Sequence, residues 1–312
     1  MKFKLNLFIE QSDLKLNHMD KTVLIGSCFS TEIAAKLSGS GFSVVSNPFG
    51  TLFHPEAIFN VIHAAITDDI DVEVKRSDDV FHSWDSSGGV FKMSESELVN
   101  EIVKRRKELK QSLLSAKTMI ITFGSAWGYI HNDSSMLVGN CHKEHQGKFT
   151  KSLSSIVEME KMWSSLIQLL TELNPELQLI FTVSPVRHKK DGLIENNRSK
   201  ARLIELVHRM VESTSAKYFP AYEVLVDELR DYRFYSEDLV HPSSAAVDFI
   251  WDKFEQAHCS GETISLSQEV KKIKASESHK ALYLNSNADV KMKAQVLESK
   301  RELLKKHPYL NF

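Results

Sequence analysis

Three side chains that lie far apart in the sequence have the types that acyl-transfer chemistry needs. Ser27 follows a short apolar run, residues 22–25, and stands where a helix is expected to begin. Asp238 and His241 are three residues apart. A serine hydroxyl becomes a nucleophile when an imidazole takes its proton, and the imidazole works best when a carboxylate fixes its tautomer. The sequence therefore predicts Ser27 as the nucleophile, His241 as the general base and Asp238 as its orienting group.

The predicted helix after Ser27 also offers hydrogen-bond donors for a negatively charged oxygen. Free N–H groups at a helix N-terminus, together with the helix dipole, stabilise the oxyanion that forms when a carbonyl is attacked. Ser27 and Gly50 are expected to supply backbone N–H groups, Gly50 because a residue without Cβ allows close approach. Gly50 is equally compatible with a simple turn. A further donor is expected from Gly124 or Ser125, or from the side chain of Asn140.

Cys28 adjoins Ser27 and is an alternative nucleophile. The pKa of a thiol at a helix N-terminus can be lowered, which increases its reactivity. Neighbouring side chains on such a turn usually point apart, so only one of the two can face His241. We favour Ser27.

Four other residues are expected to line the substrate cleft: Asn47, Trp127, His142 and Arg187. Arg187 can bind a carboxylate or phosphate through two parallel hydrogen bonds, or it can pair with an acidic residue and brace its own loop. His142 lies in residues 141–145, whose composition is metal-like, but no second group of ligands accompanies it. We therefore expect no metal ion, and the acyl chemistry needs no cofactor.

The composition narrows the classes of partner. The 312 residues suffice for a full hydrophobic core, and 39 basic against 41 acidic residues give no reason to expect nucleic acid. Three widely spaced cysteines disfavour a disulfide framework and fit a cytoplasmic location. Residues 1–16 lack a signal-peptide pattern, and no stretch reaches the roughly 20 apolar residues of a membrane helix. The expected partner is a small-molecule or carbohydrate ester, and the oligomeric state stays open.

Short apolar runs alternate with helical patterns along most of the chain. The runs are rich in Val, Ile, Thr and Phe, which is typical of buried parallel strands, and they cover residues 22–25, 42–45, 118–123, 177–183 and 217–220. Apolar residues spaced three and four apart predict helices at 30–37, 55–66, 95–114, 153–173, 200–212 and 243–254. This alternation predicts an α/β fold with a doubly wound, mostly parallel sheet.

The candidate residues come directly after these strands, where doubly wound sheets bind their ligands. Two β insertions are also expected, at residues 72–91 and 129–140. After residue 259 the pattern changes: a capping box at 265–268 predicts the start of a charged helix, and a second helix is predicted at 287–305. The chain is therefore divided into an α/β domain, residues 1–259, and a helical C-terminal extension, residues 260–312.

Five motifs resemble those of the GSCFA family of bacterial proteins, which belongs with the SGNH or GDSL-like hydrolases. They are IGSCF at 25–29, NPFGT at 47–51, NCHK at 140–143, VSPVRH at 183–188 and DLVHP at 238–242. The resemblance spans roughly residues 20–259. It implies a flavodoxin-like three-layer α/β/α sandwich and metal-free esterase chemistry.

The resemblance also implies roles for individual residues. Ser27 matches the superfamily's nucleophilic serine, Gly50 its oxyanion-hole glycine, and Asp238 with His241 its D-x-x-H pair. One motif departs: where the superfamily has G-x-N-D, this chain reads GSAW at 124–127. Either Asn140 replaces the missing amide or the oxyanion hole is incomplete.

The sequence thus predicts a serine esterase or deacylase of SGNH type. It would remove a small acyl group, acetyl by analogy with the superfamily, from an alcohol such as a carbohydrate hydroxyl. Two alternatives remain: an O-acyltransferase with the same triad, and a binding or scaffold protein whose site has decayed and whose C-terminal helices are the working surface.

Overall fold

The computed structural model describes residues 5–279, 283 and 286–312. Residues 1–4, part of the segment predicted not to be a signal peptide, lie outside the described residues. The strands and helices are, in chain order, β1 (Lys21–Gly26), α1 (Cys28–Gly39), β2 (Ser43–Ser46), α2 (Pro55–Ile66), β3 (Val74–Ser77), β4 (Val80–Ser83), β5 (Phe91–Lys92), α3 (Glu95–Ser115), β6 (Ala116–Phe123), β7 (Trp127–His131), β8 (Leu137–Val138), β9 (Phe149–Leu153), α4 (Ile156–Leu173), β10 (Gln178–Val183), α5 (Leu193–Ser213), β11 (Lys217–Tyr218), α6 (Ala221–Glu223), α7 (Ser244–His258), α8 (Gly261–Ser278) and α9 (Asn287–Lys306).

Five parallel strands of the described chain form the central sheet, in the order β2-β1-β6-β10-β11. Renumbered along the chain, this is the order 2-1-3-4-5 of flavodoxin-like folds. Val23 of β1 pairs with Val45 on one side and Met119 on the other, so β1 is an interior strand with both neighbours parallel. The predicted fold class is confirmed, and the carboxyl ends of β1, β6 and β10 share one edge of the sheet.

Helices cover both faces of the sheet, because side chains alternate along each buried strand. Val23 packs in the cluster formed with α2, α3, α4 and α5, whereas its neighbour Leu24 packs in the cluster formed with α1 and α7. Trp163 of α4 is fully buried in the first cluster, and Phe254 of α7 is buried in the second. The result is the predicted α/β/α sandwich.

Two small antiparallel sheets interrupt the alternation of strands and helices. The first, β3-β4-β5, occupies the predicted insertion at 72–91, and the second, β8-β7-β9, contains the predicted hairpin at 129–140. Strand β9 was not predicted, and α4 accordingly begins at Ile156 rather than at 153. The second sheet follows β6 directly, so it stands beside the edge where the strands end.

The C-terminal helices pack on the α/β domain. Val270, Leu303 and Leu310 form their own apolar cluster, and a Cβ at Gly41 would touch Val270 and Leu310. The predicted capping box at 265–268 is wrong: α8 begins at Gly261, where the Ser260 side chain accepts a hydrogen bond from the Thr263 N–H, so a stronger cap lies one turn earlier. Helix α9 begins where it was predicted to begin.

No helix in the described part of the chain is long and apolar enough to cross a bilayer. All three cysteines, each within the described ranges, carry free thiols.

Candidate active site

A cavity of about 680 Å³ opens among the loops that follow the strands of the central sheet. Its wall comes from the loops after β1, β2, β6 and β10, from the β7-β8 hairpin, and from the loop before α7. Among the residues that line it are Cys28, Phe53, His54, Ser125, Trp127, Asn140, Cys141, Arg187, His188, Asp238, Val240 and His241. The wall is mixed in character, with aromatic rings beside basic and polar groups.

Asp238 and His241 form a hydrogen-bonded pair on this wall. The His241 Nδ1 lies 2.6 Å from Asp238 Oδ2, and both side chains are about half exposed, at 51% and 48%. The hydrogen bond from His241, together with two backbone N–H groups, lowers the pKa of Asp238 to about 2. An ionised carboxylate only accepts hydrogen bonds, so Nδ1 must carry the proton and donate it. The other ring nitrogen, Nε2, is therefore left as a proton acceptor.

The loop that carries this pair is held by its own hydrogen bonds. Asp238 Oδ1 accepts from the N–H groups of Val240 and His241 at 2.9 and 3.0 Å. The Ser236 N–H donates to the His241 carbonyl at 2.8 Å, which closes the loop at its base. The Arg187 N–H donates to the Val240 carbonyl, which ties the loop to the segment after β10. Because both carboxylate oxygens are engaged, Asp238 positions the loop as well as the imidazole.

The Ser27 hydroxyl makes no hydrogen bond to His241. Ser27 is the N-cap of α1, 1% exposed, and its Oγ makes neither a cap bond nor any hydrogen bond to the described residues. The expected hydrogen bond between Ser27 and His241 is therefore absent. The next residue, Cys28, is half-buried and lines the cavity. Successive residues at a helix start point about 100° apart, so the sharp turn that buries Ser27 turns Cys28 outward.

The end of β1 explains this orientation. Gly26 has φ +144, and a Cβ there would lie 2.2 Å from the Thr122 carbonyl oxygen of β6. The N–H of Ser27 then donates to that same carbonyl at 3.0 Å, so the chain lies against β6 up to the residue at which α1 begins. Only glycine fits this approach and this dihedral. Residue 27 is thereby fixed against the sheet and residue 28 stands at the cavity.

Burial and nearby polar groups change the pKa of the Cys28 thiol in opposite directions. Burial raises the pKa of the thiol, while the N–H groups of Cys28 and Phe29 and the charge of Lys200 act to lower it. The net direction is upward, so a base is needed to remove the thiol proton at neutral pH.

Lys200 was missed by the sequence reasoning. It is 1% exposed, and its ammonium donates to the carbonyls of Gly124 and Ser184, each at 2.7 Å, which joins the ends of β6 and β10. Burial lowers the pKa of Lys200 to about 7. A negative charge on the Cys28 thiolate acts in the opposite direction and raises this pKa. The only signal in the sequence was a lysine on the apolar stripe of α5, where Leu203 and Leu206 also lie.

The two glycines expected in the oxyanion hole have other partners. The Gly50 N–H donates to the Asn47 carbonyl at 2.7 Å, and the Gly124 N–H donates to the Phe53 carbonyl at 2.8 Å. Gly50 also has φ +75 and abuts Ser87, so it serves a turn and a close contact. In this geometry neither N–H is free to bind a substrate, and the oxyanion-hole role of the two glycines stays a prediction.

Asn140 fits the expectation better. It lines the cavity, its Oδ1 accepts from the His142 N–H at 2.8 Å, and its amide nitrogen makes no hydrogen bond to the described residues. The accepted bond fixes which end of the amide points away from the backbone. The free NH₂ is thus a hydrogen-bond donor at the cavity.

The expected substrate-binding residues divide into two pairs. Asn47 and His142 lie off the cavity: Asn47 Oδ1 accepts from the Gly26 N–H at 2.8 Å, and His142 donates from Nε2 to the Ser83 carbonyl at 2.8 Å. Trp127 and Arg187 line the cavity. The Trp127 Nε1 donates to the Glu195 carbonyl at 3.2 Å, which leaves the ring face as its contribution to the wall.

Arg187 neither pairs with an acidic residue of the described chain nor braces its loop through one. Its guanidinium lies 4.2 Å from the ring centre of Tyr235 and 5.2 Å from that of Tyr232. Stacking of this kind holds the guanidinium plane while its N–H edge stays open. Of the two roles predicted, the structure favours binding of a polar or anionic group over loop bracing by an ion pair.

Two further histidines on the wall are uncharged at neutral pH. Burial lowers the pKa of both His54 and His188 to about 4. His54 donates from Nε2 to Ser154 Oγ at 3.0 Å and accepts from the Glu56 N–H, so both of its ring nitrogens have partners. This leaves His241, with its carboxylate, as the imidazole placed for proton transfer. No group of three or more metal-ligating side chains is found in the part of the chain that the structure describes.

The fold and the cavity define a doubly wound α/β protein with an acid-supported imidazole at the carboxyl ends of its strands. Two solved structures resemble it over most of their length. One is a protein assigned as a GDSL-like lipase from Parabacteroides merdae, 12% identical, covering 82% of this chain and 99% of that one, with a TM-score of 0.42. The other is a catalytic mutant of an acetylxylan esterase from Geobacillus stearothermophilus, 12% identical, covering 78% of this chain and 96% of that one, with a TM-score of 0.39.

The family follows from the sequence. The model of the GSCFA family matches residues 21–254, three quarters of the chain, and the protein belongs to that family. A comparison with curated proteins found no match. The resemblance noted from the five motifs is thereby confirmed.

Proposed function

We propose that the protein is a hydrolase that cleaves a small acyl ester, with His241 as the general base and Asp238 as its orienting carboxylate. The observation that carries the proposal is the pair itself: a 2.6 Å hydrogen bond to Nδ1 that leaves Nε2 free on the wall of a cavity of about 680 Å³. An imidazole held in this tautomer is suited to take a proton from a nucleophile and to return it to a leaving group.

The reaction would proceed in two halves. A nucleophile near the start of α1 attacks the ester carbonyl while His241 Nε2 takes its proton, and the leaving alcohol receives that proton as the C–O bond breaks. Water then attacks the acyl-enzyme, again with His241 as the base, and releases the carboxylic acid. The Asn140 amide and the first N–H groups of α1 are the donors proposed to stabilise the oxyanion.

The sequence assigned the attack to Ser27, in a Ser-His-Asp mechanism. That assignment stays an untested prediction, and it requires the Ser27 hydroxyl to leave its buried position. The proposal of ester hydrolysis does not depend on it, because the base, its carboxylate and the cavity are the same for either neighbour.

The cavity favours a substrate with a small acyl group on a polar alcohol. Trp127 offers a ring face of the kind that stacks on sugars, and the open edge of Arg187 offers donors for a carboxylate or hydroxyl. We therefore propose an acetyl ester, carried by a carbohydrate, as the substrate class. The acceptor distinguishes this function from acyl transfer, in which an alcohol replaces water in the second half.

The test is acetate release by the purified wild-type protein. We expect hydrolysis of p-nitrophenyl acetate and of acetylated sugars, with slower turnover of longer acyl chains. Faster product formation on addition of a sugar acceptor, with acylated sugar as the product, would identify an acyltransferase instead. If the protein cleaves none of these esters, the result contradicts the proposed function and favours a binding protein with a decayed site.

A further inference from the structure

We propose that Cys28, not Ser27, is the nucleophile, so that the acyl group passes through a thioester on Cys28 Sγ. This inference rests on the proposed function and names a residue of that same site. It would make the protein a cysteine-dependent acyl hydrolase on a fold whose sequence predicted a serine enzyme.

The first argument is position. Cys28 lines the same cavity as Asp238 and His241, whereas Ser27 is 1% exposed and does not line it. The Ser27 position is fixed on both sides: Gly26 approaches the Thr122 carbonyl too closely for any Cβ, and the Ser27 N–H is bonded to that carbonyl. These contacts hold the Ser27 backbone against β6, and the hydroxyl is buried there.

The second argument is the absence of a side-chain cap on α1. An N-cap serine normally accepts a hydrogen bond from the second or third N–H of its helix, and Ser27 does not. The N–H groups of Cys28 and Phe29 lie near the Cys28 sulfur, where they favour its ionised form. The first turn of the helix is thus open toward the thiol and toward the oxyanion that its attack on a carbonyl would produce.

The third argument is the buried cation behind the thiol. Lys200 is held by the carbonyls of Gly124 and Ser184, and its charge interacts favourably with a thiolate at Cys28. A buried ammonium is costly, and ionisable groups perturbed by burial in this way cluster at functional sites. Ser27, by contrast, has no hydrogen-bond partner for its hydroxyl among the described residues, which is a poor setting for developing an alkoxide.

The proposed step balances as follows. His241 Nε2 takes the proton from Cys28 Sγ–H while Sγ bonds to the ester carbonyl carbon. The C–O bond then breaks, and the alkoxide takes the proton from His241. Water adds to the thioester and gives its proton to His241, the C–S bond breaks, and the thiolate recovers that proton. The net reaction is ester plus water to acid plus alcohol, with no other reactant.

The first experiment compares kcat/KM for p-nitrophenyl acetate in four variants of the full chain. Cys28→Ala should lose at least about 100-fold, and Cys28→Ser should keep a part of the activity because the hydroxyl replaces the thiol in place. Ser27→Ala should stay within about threefold of wild type, with an unchanged or higher Tm, since it removes a buried hydroxyl that has no partner. His279→Ala, at an exposed position at the end of α8 that does not line the cavity, is the control for alanine replacement in general.

The second experiment measures thiol reactivity without any ester. Iodoacetamide is added at neutral pH, and alkylation of Cys28 is followed by peptide mass spectrometry with Cys141, the other half-buried thiol, as the internal reference. We expect Cys28 to react several times faster than Cys141 in wild type, and His241→Ala to slow Cys28 alone by roughly threefold or more.

The outcomes separate this inference from the proposed function. Ester hydrolysis that survives Cys28→Ala and is lost in Ser27→Ala would overturn the Cys28 assignment and leave the hydrolase intact. A wild-type protein that cleaves no ester, but whose Cys28 reacts in a His241-dependent way, would overturn the hydrolase and support an activated thiol. Alkylation of Cys28 that is indifferent to His241 would overturn the assignment whatever the ester assay shows.

Discussion

Replacing Asp238 by asparagine tests how the imidazole is held. In the wild-type protein Asp238 Oδ2 accepts from His241 Nδ1 at 2.6 Å, and Oδ1 accepts from two backbone N–H groups. Asparagine keeps one carbonyl oxygen for the backbone bonds but presents an NH₂ group to the ring. To accept from that group, Nδ1 must lose its proton, and Nε2 then carries it. The imidazole is left intact but in the tautomer that cannot act as a base.

The size of the loss follows from exposure. A buried orienting carboxylate is worth about 10⁴-fold in kcat when it is replaced by its amide. Asp238 and His241 are about half exposed, so water can partly restore the active tautomer. We therefore expect Asp238→Asn to lower kcat/KM about 100-fold, with little change in Tm because the loop bonds to Oδ1 remain.

The assay is hydrolysis of p-nitrophenyl acetate from pH 5 to 9. The pKa of Asp238 is lowered to about 2, so its carboxylate stays ionised and accepts from Nδ1 throughout this range. Asp231→Asn is the matched control, because Asp231 Oδ1 caps its own loop by accepting from the Arg233 N–H at 2.9 Å. An Asp238→Asn enzyme within about threefold of wild type would refute the tautomer argument.

Three further predictions concern stability and the oxyanion. Gly26→Ala would place a Cβ 2.2 Å from the Thr122 carbonyl oxygen at a φ of +144, so it should lower the free energy of unfolding in urea by more than about 3 kcal/mol. Gly39→Ala is the control, because there is open space around Gly39, and it should change the free energy of unfolding by less than about 1 kcal/mol. Lys200→Met should abolish a rise in stability of about 1.4 kcal/mol per pH unit between pH 7 and 10, because there the unfolded chain holds a proton that folded Lys200 has lost. Asn140→Asp should lower kcat for ester hydrolysis by about 100-fold, since it keeps the acceptor for the His142 N–H and replaces the free donor with a negative oxygen.

Each of these has a clear contrary result. Equal urea midpoints for the two glycine variants would show that the end of β1 is not constrained as described. If the difference in unfolding free energy between wild type and Lys200→Met does not change from pH 7 to 10, Lys200 carries the same charge in the folded and unfolded states. Unchanged turnover in Asn140→Asp would remove Asn140 from the oxyanion site.

The sheet was predictable because its signals are local. Buried parallel strands are short apolar runs, and the order of runs and amphipathic helices fixes a doubly wound topology with few alternatives. The predicted strand at 118–123 lies within β6, and α2 was predicted to the residue. Strand β9, with three of its five residues charged or polar, carries no such signal and was missed.

The site was predictable only in part. Asp238 and His241 lie three apart, so a single loop brings them together and their spacing was informative. The roles of Gly50 and Gly124 depend on whether each N–H already has a partner, which is decided by chain segments that the sequence does not place together. The choice between Ser27 and Cys28 depends on the close contact of Gly26 with β6, and the position of Lys200 depends on the packing of α5. Contacts of that kind appear only in the folded chain.

The most direct measurement is kcat/KM for p-nitrophenyl acetate in His241→Ala, beside wild type and the His279→Ala control. If ester cleavage depends on the imidazole that Asp238 holds at the cavity, His241→Ala should lose at least about 100-fold while the control stays within about twofold. Equal rates in His241→Ala and wild type would contradict the account, because the hydrolysis would then come from another part of the molecule.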